Sequence, residues 1–389
     1  MPPPRTPLHR TPVIWVAYAA PTVLTFILSL IGPLLPHLRE ELSLGYAQAA
    51  LHTSAFAAGM IAMGFVGDRV SNLLGRRRTL WLGIVGLAAG LTLVGLSPAL
   101  WGSVLGCAVA GLLGTLLLVV GPAMLAETDP SLHGVLFAEQ NVIAYLGALV
   151  APPCVWLIVQ LSGWRIVLVA GWLTVLLCVA LFGRVRLPEA RGRASGGGDG
   201  RLPLPYWAFW FLLVVSVSTE FSMSVWGPAY LETVLGLSRD TAVLGVAAFP
   251  LGMIVSRAVG VVLLHRLSPP ALTLPSLGLG FVGFMLFWQG GAAWTGLAGL
   301  FVTGLGVGNL FAIAMAMGVS AAGDATTAAT ARAPLGSGLA IVAAPLVLGA
   351  LADRFGIAVA YAVVPFLLAG GVVAFSLGRG ALPRLSPAR

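Results

Sequence analysis

Residues 59–78, GMIAMGFVGDRVSNLLGRRR, end an apolar segment that begins near residue 46 and finish in a cluster of three arginines. A run of about 20 apolar residues is long enough to cross a hydrocarbon core of about 30 Å as a helix. The first three residues, Gly59-Met60-Ile61, recur as Gly252-Met253-Ile254, 193 positions later. The stretch therefore predicts a membrane helix that ends in a cationic loop and has a related copy in the second half of the chain.

The composition of the whole chain also indicates a protein that lies in the membrane. Of the 389 residues, 58% are hydrophobic and 9% are charged, whereas a soluble globular protein carries about 25% charged residues. The chain has 50 glycines, which fits helices that pack closely in a membrane. The apolar runs are continuous rather than alternating, and this argues against a transmembrane β-barrel. The three cysteines, all in apolar runs, are interpreted as packing residues and not as disulfides or metal ligands.

Twelve membrane spans are predicted, with a polar, arginine-rich and glycine-rich segment after the sixth. The predicted spans are 13–36, 46–67, 79–97, 100–126, 134–160, 164–183, 206–231, 241–265, 270–289, 294–320, 328–352 and 357–378. The first run is too long for the apolar core of a signal peptide, so we interpret it as a retained helix. The predicted domains are an N-terminal six-helix half (1–183), a linker (184–205) and a C-terminal six-helix half (206–389).

The arginines predict the orientation. All 21 basic residues are arginine, and by this reading sixteen of them lie on the side of the N-terminus and four on the opposite side. Positive residues favour cytoplasmic loops, so both termini and the linker are expected in the cytoplasm. This placement explains the net positive charge better than nucleic-acid binding does. The predicted location is the cytoplasmic membrane of a prokaryote, as a multi-pass protein.

The 193-residue offset is not limited to one tripeptide. It also relates Ala123-Met124 to Ala316-Met317, Ala151-Pro152 to Ala344-Pro345, and Gly163 to Gly356. Gly32-Pro33 and Gly227-Pro228 differ by 195 positions. One shared offset over several spans predicts two related six-helix halves.

Two loop motifs carry a resemblance to a known family. After the second span, the pattern G-x-x-x-D-R-x-G-R-R is matched in residue type, with four extra residues before the second glycine, by Gly64, Asp68, Arg69, Gly75, Arg76 and Arg77. After the fourth span, Glu127, Pro130 and Gly134 follow the pattern E-x-x-P-x-x-x-R-G with one residue fewer and with His133 near the usual arginine. Together with six plus six helices, these motifs resemble the major facilitator superfamily of secondary transporters.

Within that superfamily, two kinds of substrate are considered. The stretches TEFSMSVWGPAYLETVLGLS (219–238) and GMIVSRAVG (252–260) are similar to sugar permeases of the fucose-permease type. Drug–proton antiporters carry G-P-x-x-G-G in the fifth span, where this chain has APPCVW (151–156). Proton-coupled uptake of a sugar or small organic solute is therefore favoured, and drug or metabolite efflux remains the alternative.

Polar side chains inside the spans are the candidates for the transport site. Glu220 lies midway along the seventh span among serines and threonines. A carboxyl group at membrane depth is costly in its charged form, which suits reversible protonation, and the resemblance implies that helices 1, 4, 7 and 10 line a central cavity. Softer candidates are aromatic, amide and hydroxyl side chains, each of which could equally be a packing residue or an interfacial anchor. They are Tyr18, Thr22, Thr25, Asn141, Tyr145, Trp226, Tyr230 and Asn309.

Two ion pairs are predicted to close the cytoplasmic side. The repeat offset relates Glu139 to Arg332, and Gly64, one turn before Asp68, to Arg257. The resemblance places the fifth helix beside the eighth and the eleventh beside the second. We therefore expect a Glu139–Arg257 pair and an Asp68–Arg332 pair when that side is shut. Alternatively, Asp68 caps a neighbouring helix and Arg332 reaches lipid headgroups.

No motif of a soluble enzyme or of an ATP-binding loop is present in the sequence. We expect no enzymatic activity, no cofactor and no metal. The expected partners are a small-molecule substrate, protons and the lipid bilayer, without nucleic acid, and the chain is expected to be a monomer. A membrane receptor or membrane enzyme with the same architecture would be recognised by the absence of solute flux.

Overall fold

A computed structural model of the chain describes residues 10–128, 132–188, 202–264 and 266–381. Within these ranges the secondary structure is helical, and twelve helical segments are long and apolar enough to cross a membrane. They are α1 (Pro12–Leu42), α2 (Tyr46–Leu74), α3 (Arg76–Leu96), α4 (Leu100–Leu125), α5 (Val135–Ser162), α6 (Trp164–Phe182), α7 (Leu204–Thr233), α8 (Arg239–Leu264), α9 (Pro269–Gln289), α10 (Ala293–Ala321), α11 (Ala328–Phe355) and α12 (Ile357–Gly378). The predicted all-α fold with twelve membrane helices is confirmed.

The largest boundary differences occur where helices continue past their apolar core. The predicted first span ends at Pro36, but α1 continues through Pro33 and Pro36 to Leu42 and ends at Ser43, which has a φ of 50°. The predicted second span ends at residue 67, but α2 continues to Leu74. Hydropathy marks where side chains stop being apolar, whereas the backbone keeps its helical hydrogen bonds into the more polar region.

Several backbone features recur at the sequence offset of 193 residues. The helix of α4 is interrupted at Thr115, between Leu100–Gly114 and Leu116–Leu125. The helix of α10 is interrupted at Gly308 and Asn309, between Ala293–Val307 and Leu310–Ala321. The short sequence matches and the backbone interruptions therefore share one offset of 193 residues.

The repeated glycines allow close contact between neighbouring helices. A Cβ atom on Gly59 of α2 would overlap the carbonyl oxygen of Ala108 in α4, and a Cβ atom on Gly252 of α8 would overlap the carbonyl oxygen of Phe301 in α10. Ala108 and Phe301 are themselves 193 positions apart. Small residues permit such approach in membranes, where packing rather than the exclusion of water drives association.

We name the two ends of the bundle by the helix termini that lie there. The linker end is where α1 begins, α6 ends and α7 begins, and the far end is the opposite one. At the far end the first residues of α2 contact the last turn of α11, because the Asp353 carboxylate accepts hydrogen bonds from the backbone N–H groups of Tyr46 (2.7 Å) and Ala47 (2.8 Å). An acceptor at a helix N-terminus satisfies donors that have no partner within the helix.

Two more contacts join helices α1–α6 to helices α7–α12 at the far end. Arg239 of α8 forms ion pairs with Glu40 of α1 and with Glu232 of α7. The amide of Gln160 in α5 donates to Asp240 in α8 at 2.6 Å. Between described residues, no hydrogen bond or ion pair joins the two groups of helices on the linker side of Tyr145. The bundle is therefore bonded together at its far end and not at its linker end.

We expect Gly59→Ala and Gly252→Ala each to destabilise the bundle by about 1–3 kcal/mol, because an added methyl group would overlap a backbone carbonyl. Gly278→Ala is the matched control, since no atom lies within 4 Å of the added Cβ atom and alanine favours a helix. Thermal unfolding of the three purified variants in the same detergent measures the difference. Equal melting temperatures for Gly59→Ala and Gly278→Ala would contradict this account of the packing.

Candidate functional site

A cavity of about 260 Å³ lies between helices α1–α6 and helices α7–α12. Its volume is just below the range of about 300–1,000 Å³ that is typical of sites for drug-sized ligands. The lining residues are Thr25, Leu28, Ser29, Gly32 and Pro33 from α1; Asn141, Tyr145, Ala148 and Pro152 from α5; Val217, Glu220, Phe221, Ser224 and Val225 from α7; Val246, Phe249, Pro250, Met253 and Arg257 from α8; Phe311 from α10; and Ser337 and Ile341 from α11.

The set of lining helices differs from the expected one. The resemblance implied helices 1, 4, 7 and 10, whereas α5, α8 and α11 also contribute and α4 contributes no described residue. The reason is that α4 packs behind α1, where Gly121 lies close to the backbone of Ala17. The described part of α10 reaches the cavity through Phe311 alone.

Glu220, Tyr145 and Arg257 form a polar group across this cavity. The Tyr145 hydroxyl lies 3.0 Å and 3.2 Å from the two carboxylate oxygens of Glu220 and donates to that carboxylate. The guanidinium of Arg257 lies over the ring of Tyr145, 3.9 Å from the ring centroid. The three residues come from α7, α5 and α8, so one tyrosine contacts a carboxylate and a cation from the other group of helices.

One buried donor of Arg257 has no hydrogen-bond acceptor in the described part of the chain. Its Nε atom is buried and has no hydrogen-bond partner, and no ion pair within 4.0 Å joins the guanidinium to a described carboxylate. A buried donor without a partner costs about 1–3 kcal/mol. The cation lies over the face of Tyr145, and its Nε donor is left without an acceptor among the described residues.

The hydroxyl groups near Glu220 in sequence do not surround its carboxylate. Thr219 donates to the carbonyl of Val215 at 2.9 Å, and Ser222 donates to the carbonyl of Ser218 at 2.8 Å, both within α7. Only Ser224 of the neighbouring serines and threonines lines the cavity. The partner of Glu220 is instead Tyr145, about 75 positions away in the sequence.

Four of the candidate substrate or proton residues line the cavity, and they are Thr25, Asn141, Tyr145 and Glu220. Trp226 and Tyr230 do not, because both are buried between helices, Trp226 with its ring against that of Tyr46 in α2. The indole of Trp226 donates to the carbonyl of Pro345 at 2.9 Å, and the hydroxyl of Tyr230 donates to the carbonyl of Trp288 at 2.6 Å. They pack helices against each other and are not the interfacial anchors that the alternative reading suggested.

Asn309, Tyr18 and Thr22 also lie outside the cavity lining. The amide of Asn309, at the interruption of α10, donates to the hydroxyl of Ser256 at 3.0 Å and so ties α10 to α8. The hydroxyl of Tyr18 donates to Glu139 at 2.7 Å. Thr22 donates to the backbone carbonyl of Tyr18 at 2.7 Å. Each of these polar groups has a partner in the protein.

The Glu139–Arg257 pair is not formed in this conformation. Glu139 accepts hydrogen bonds from Arg10, whose Nε lies at 3.0 Å, and from Tyr18, and it forms an ion pair with Arg10. The hydrogen bond to Glu139 raises the pKa of the Arg10 guanidinium above its ordinary value. Because the pair was expected only when the linker end is shut, it stays a prediction for that state.

The two loop motifs contact each other. Arg76, which is 5% exposed, donates through both Nη atoms to the carboxylate of Glu127, with one contact at 2.7 Å. Arg77 donates to the carbonyl of Gly183 at the end of α6, at 2.9 Å. Gly75 joins α2 to α3 with a φ of 75°, which a glycine adopts without strain. The loop after α2 is therefore fixed to the loop after α4 and to α6.

The remaining motif residues are less constrained. Asp68 and Arg69 are exposed on α2, and no hydrogen bond or ion pair joins either to a described residue. The guanidinium of Arg332 lies 5.8 Å from the ring centroid of Trp207. Gly64 has open space at its Cβ position, and Pro130 lies outside the described residues. The Asp68–Arg332 pair is thus not formed here and stays a prediction.

Several cavity residues carry no signal in the sequence that marks them as part of a site. Phe249, Met253 and Phe311 line the cavity, yet each stands in a continuous apolar run. Ser29 and Ser337 are isolated serines without a motif around them. Arg257 was assigned to a gate, although its unusual position inside an apolar span already marked it as a functional candidate.

Comparisons with known proteins agree with this architecture. The family model described as Major Facilitator Superfamily matches residues 18–331. A crystal structure of a bacterial homologue of the human lysosomal transporter Spinster, in an inward-facing and occupied conformation, is similar with a TM-score of 0.78 and 12% identity, over 98% of this chain and 100% of that chain. The inward-facing and unoccupied structure gives a TM-score of 0.72 and 14% identity, over 97% of this chain and 98% of that chain. No curated protein matches the chain.

We expect Arg76→Gln and Glu127→Gln each to lower stability, and the double variant to be no worse than the poorer single variant. Removing one partner leaves a buried charge unpaired, which costs about 3–5 kcal/mol for a fully buried pair. The cost should be smaller here because the Glu127 side chain is 26% exposed. Thermal unfolding of the four proteins gives the coupling energy. Additive effects of the two substitutions would mean that the two loops are stabilised independently.

We expect Asp68→Arg to slow transport, and Asp68→Arg with Arg332→Asp to restore part of it. The single variant places two cations where the closed linker end requires a pair, and the double variant restores opposite charges. Solute counterflow in proteoliposomes measures both, with Arg69→Gln as a control for charge lost from the same helix. If the double variant is as slow as Asp68→Arg, the predicted latch does not exist.

Proposed function

The chain belongs to the Major Facilitator Superfamily, and from this membership we propose that it moves a small organic solute across the membrane by alternating access through the central cavity. It is a membrane transporter and not an enzyme. The observation that carries the proposal is the cavity itself, which lies between two groups of six helices and holds one carboxylate and one guanidinium. A polar group of this kind at membrane depth marks a substrate or proton pathway.

The conformation supports a particular state of that cycle. Bonds join the two groups of helices at the far end, through Asp353 and Arg239, and between described residues none joins them at the linker end. The arginine distribution favours a cytoplasmic location for the linker end. On these grounds we assign the structure to an inward-open state with both termini in the cytoplasm, in which the two related halves (1–183 and 206–389) are separated on the cytoplasmic side.

Proton coupling is assigned to Glu220. Its carboxylate lines the cavity and accepts a hydrogen bond from the Tyr145 hydroxyl, and the Arg257 cation lies over the ring of the same tyrosine. A carboxylate in this position can gain a proton when the cavity is open to one side of the membrane and lose it when the cavity is open to the other side. Burial makes its charge dependent on the neighbouring cation.

The lining supports a small organic solute over a sugar within the proposed uptake function. More than half of the lining side chains are apolar, including Leu28, Phe249, Phe311 and Ile341. A sugar needs hydrogen bonds around its whole perimeter, whereas an organic solute with an apolar body needs them at one end. The cavity favours the second kind of solute. The same lining makes efflux of an amphiphilic metabolite or drug the second candidate function.

We expect Glu220→Gln to abolish proton-driven uptake in proteoliposomes and to leave counterflow of the same solute largely intact. Glutamine keeps the size and hydrogen bonding of the side chain but does not titrate, so only the steps that need proton release should stop. The solute is first identified by the rise in melting temperature that a ligand of the folded state produces, in a screen of sugars, organic acids and amphiphilic compounds. Uptake that still follows the proton gradient in the variant would remove Glu220 from the coupling mechanism.

Glu41→Gln is the matched control. Glu41 forms an ion pair with Arg165 at 2.6 Å at the far end, away from the cavity lining. Its replacement also removes one carboxylate from the chain, but proton-driven uptake should persist. Loss of uptake in both variants would mean that the assay responds to destabilisation and not to proton coupling.

A further inference from the structure

We propose that the solute is a small amphiphilic monoanion, whose oxyanion group binds the Arg257 guanidinium while its apolar body packs against the apolar lining of the cavity. The proposal further assigns one proton, bound to Glu220, to each anion that is carried. It rests on the proposed function, because it names the substrate class of the same cavity.

Arg257 is the group in the cavity that lacks an acceptor. It reaches the lining from α8, lies 3.9 Å from the Tyr145 ring centroid, and has a buried Nε atom without a hydrogen-bond partner. A guanidinium presents donors in a planar fork that matches a carboxylate or a phosphate. A buried unsatisfied donor in a native structure calls for a ligand or an ion that completes it.

The Glu220 carboxylate, unlike the Nε of Arg257, already has a hydrogen-bond partner in the protein. Both of its carboxylate oxygens lie within hydrogen-bond distance of the Tyr145 hydroxyl, at 3.0 Å and 3.2 Å. Of the two charged groups, the Glu220 carboxylate therefore has a donor in the protein, whereas the buried Nε of Arg257 has no acceptor among the residues described. This asymmetry selects an anion over a cation as the solute.

The apolar part of the lining is positioned to hold the rest of such a solute. Met253 and Phe249 lie on α8 one and two turns from Arg257, on the same side of that helix. Phe311 and Ile341 add apolar surface from α10 and α11. A cavity of about 260 Å³ holds a short chain or one aromatic ring beside a charged group. An anion of this shape satisfies both ends of the cavity together.

The charges explain why a proton accompanies the anion. The charged or titratable side chains of the described lining are Glu220, Tyr145 and Arg257, and α1, α10 and α11 contribute none. Glu139, on the linker side of Tyr145, is held by Arg10 and Tyr18. Without solute, the Glu220 anion balances Arg257. With a bound monoanion, protonation of Glu220 keeps the cavity neutral, which a medium of low dielectric constant strongly favours.

The proposal is tested by equilibrium binding to the full chain in lipid nanodiscs, with three probes that share a phenylbutyl body. They are 4-phenylbutyrate (anionic), 4-phenylbutanamide (neutral) and 4-phenylbutylamine (cationic). We expect the anion to bind at least about tenfold more tightly than the other two, and Arg257→Gln to remove that preference. Arg257→Lys should keep part of it, because the charge remains and the planar fork is lost.

Arg266→Gln is the control, since it removes an exposed arginine just beyond the end of α8, outside the cavity lining. Melting temperatures of all variants establish that they are folded. A fourth probe, the monoanionic diester methyl 4-phenylbutyl phosphate, separates the two sources of an oxyanion: tighter binding than the carboxylate assigns a phosphate head, and weaker binding assigns a carboxylate. Preference for the amide or the amine, no binding of either anion, or an unchanged preference in Arg257→Gln would overturn the proposal.

The proton is tested by the pH dependence of anion binding between about pH 8 and pH 6, where a carboxylate probe stays ionised. Because binding brings a proton to Glu220, affinity should rise as the pH falls, and Glu220→Gln should bind the anion with no such dependence. A pH-independent affinity in the unmodified chain would overturn the coupled proton. Binding of the anion without flux in proteoliposomes would instead contradict the proposed transport function, so the two failures are distinguishable.

Discussion

The hydrocarbon core offers no water to a backbone amide or to a charge, and this constraint shapes the chain at every level. Each peptide group in the membrane must find its partner within the protein, which leaves helices as the solution for continuous apolar segments. The long helices continue past their apolar cores, as α1 does through Pro33 and Pro36 to Leu42. Proline is tolerated there because neighbouring helices and local adjustments accommodate the missing hydrogen bond.

Close packing follows from the same constraint. Lipid tails are as apolar as leucine, so helices gain little by exchanging lipid for a neighbour unless their backbones come close. Gly59 and Gly252 provide that approach at equivalent places, against α4 and α10. The interruptions at Thr115 and Gly308 repeat with the same offset. The two groups of helices therefore share an internal packing plan. The contacts that join them at the far end follow the same offset, because Asp353 with Ala47 of α2 corresponds to Gln160 with Asp240 of α8.

The charged residues inside the bundle are held in two different ways, one at the loops and one at the cavity. Arg76 and Glu127 neutralise each other and fix two loops at the linker end. Glu220 and Arg257 instead both contact Tyr145, one at its hydroxyl and one over its ring, and no ion pair within 4.0 Å joins them. A direct pair would be hard to open for a solute, whereas a cation on an aromatic face can exchange that weak contact for an oxyanion. The cavity keeps one polar group available at the cost of an unsatisfied donor.

The sequence by itself determined the twelve spans, the family, and the presence of Glu220 and Arg257 at membrane depth, because long apolar runs and isolated charges within them are local properties. It also located the two motifs, although not the Arg76–Glu127 contact between them. Only the tertiary structure decided which faces meet. In the folded chain, the side chains of Trp226, Tyr230 and Asn309 donate hydrogen bonds to other helices. Glu139 forms an ion pair with Arg10, and Tyr145 donates to Glu220. In a membrane helix the face toward lipid and the face toward protein are both apolar, so the periodicity that reveals the buried side of a soluble helix is absent, and the partners of a polar residue depend on how the helices are packed.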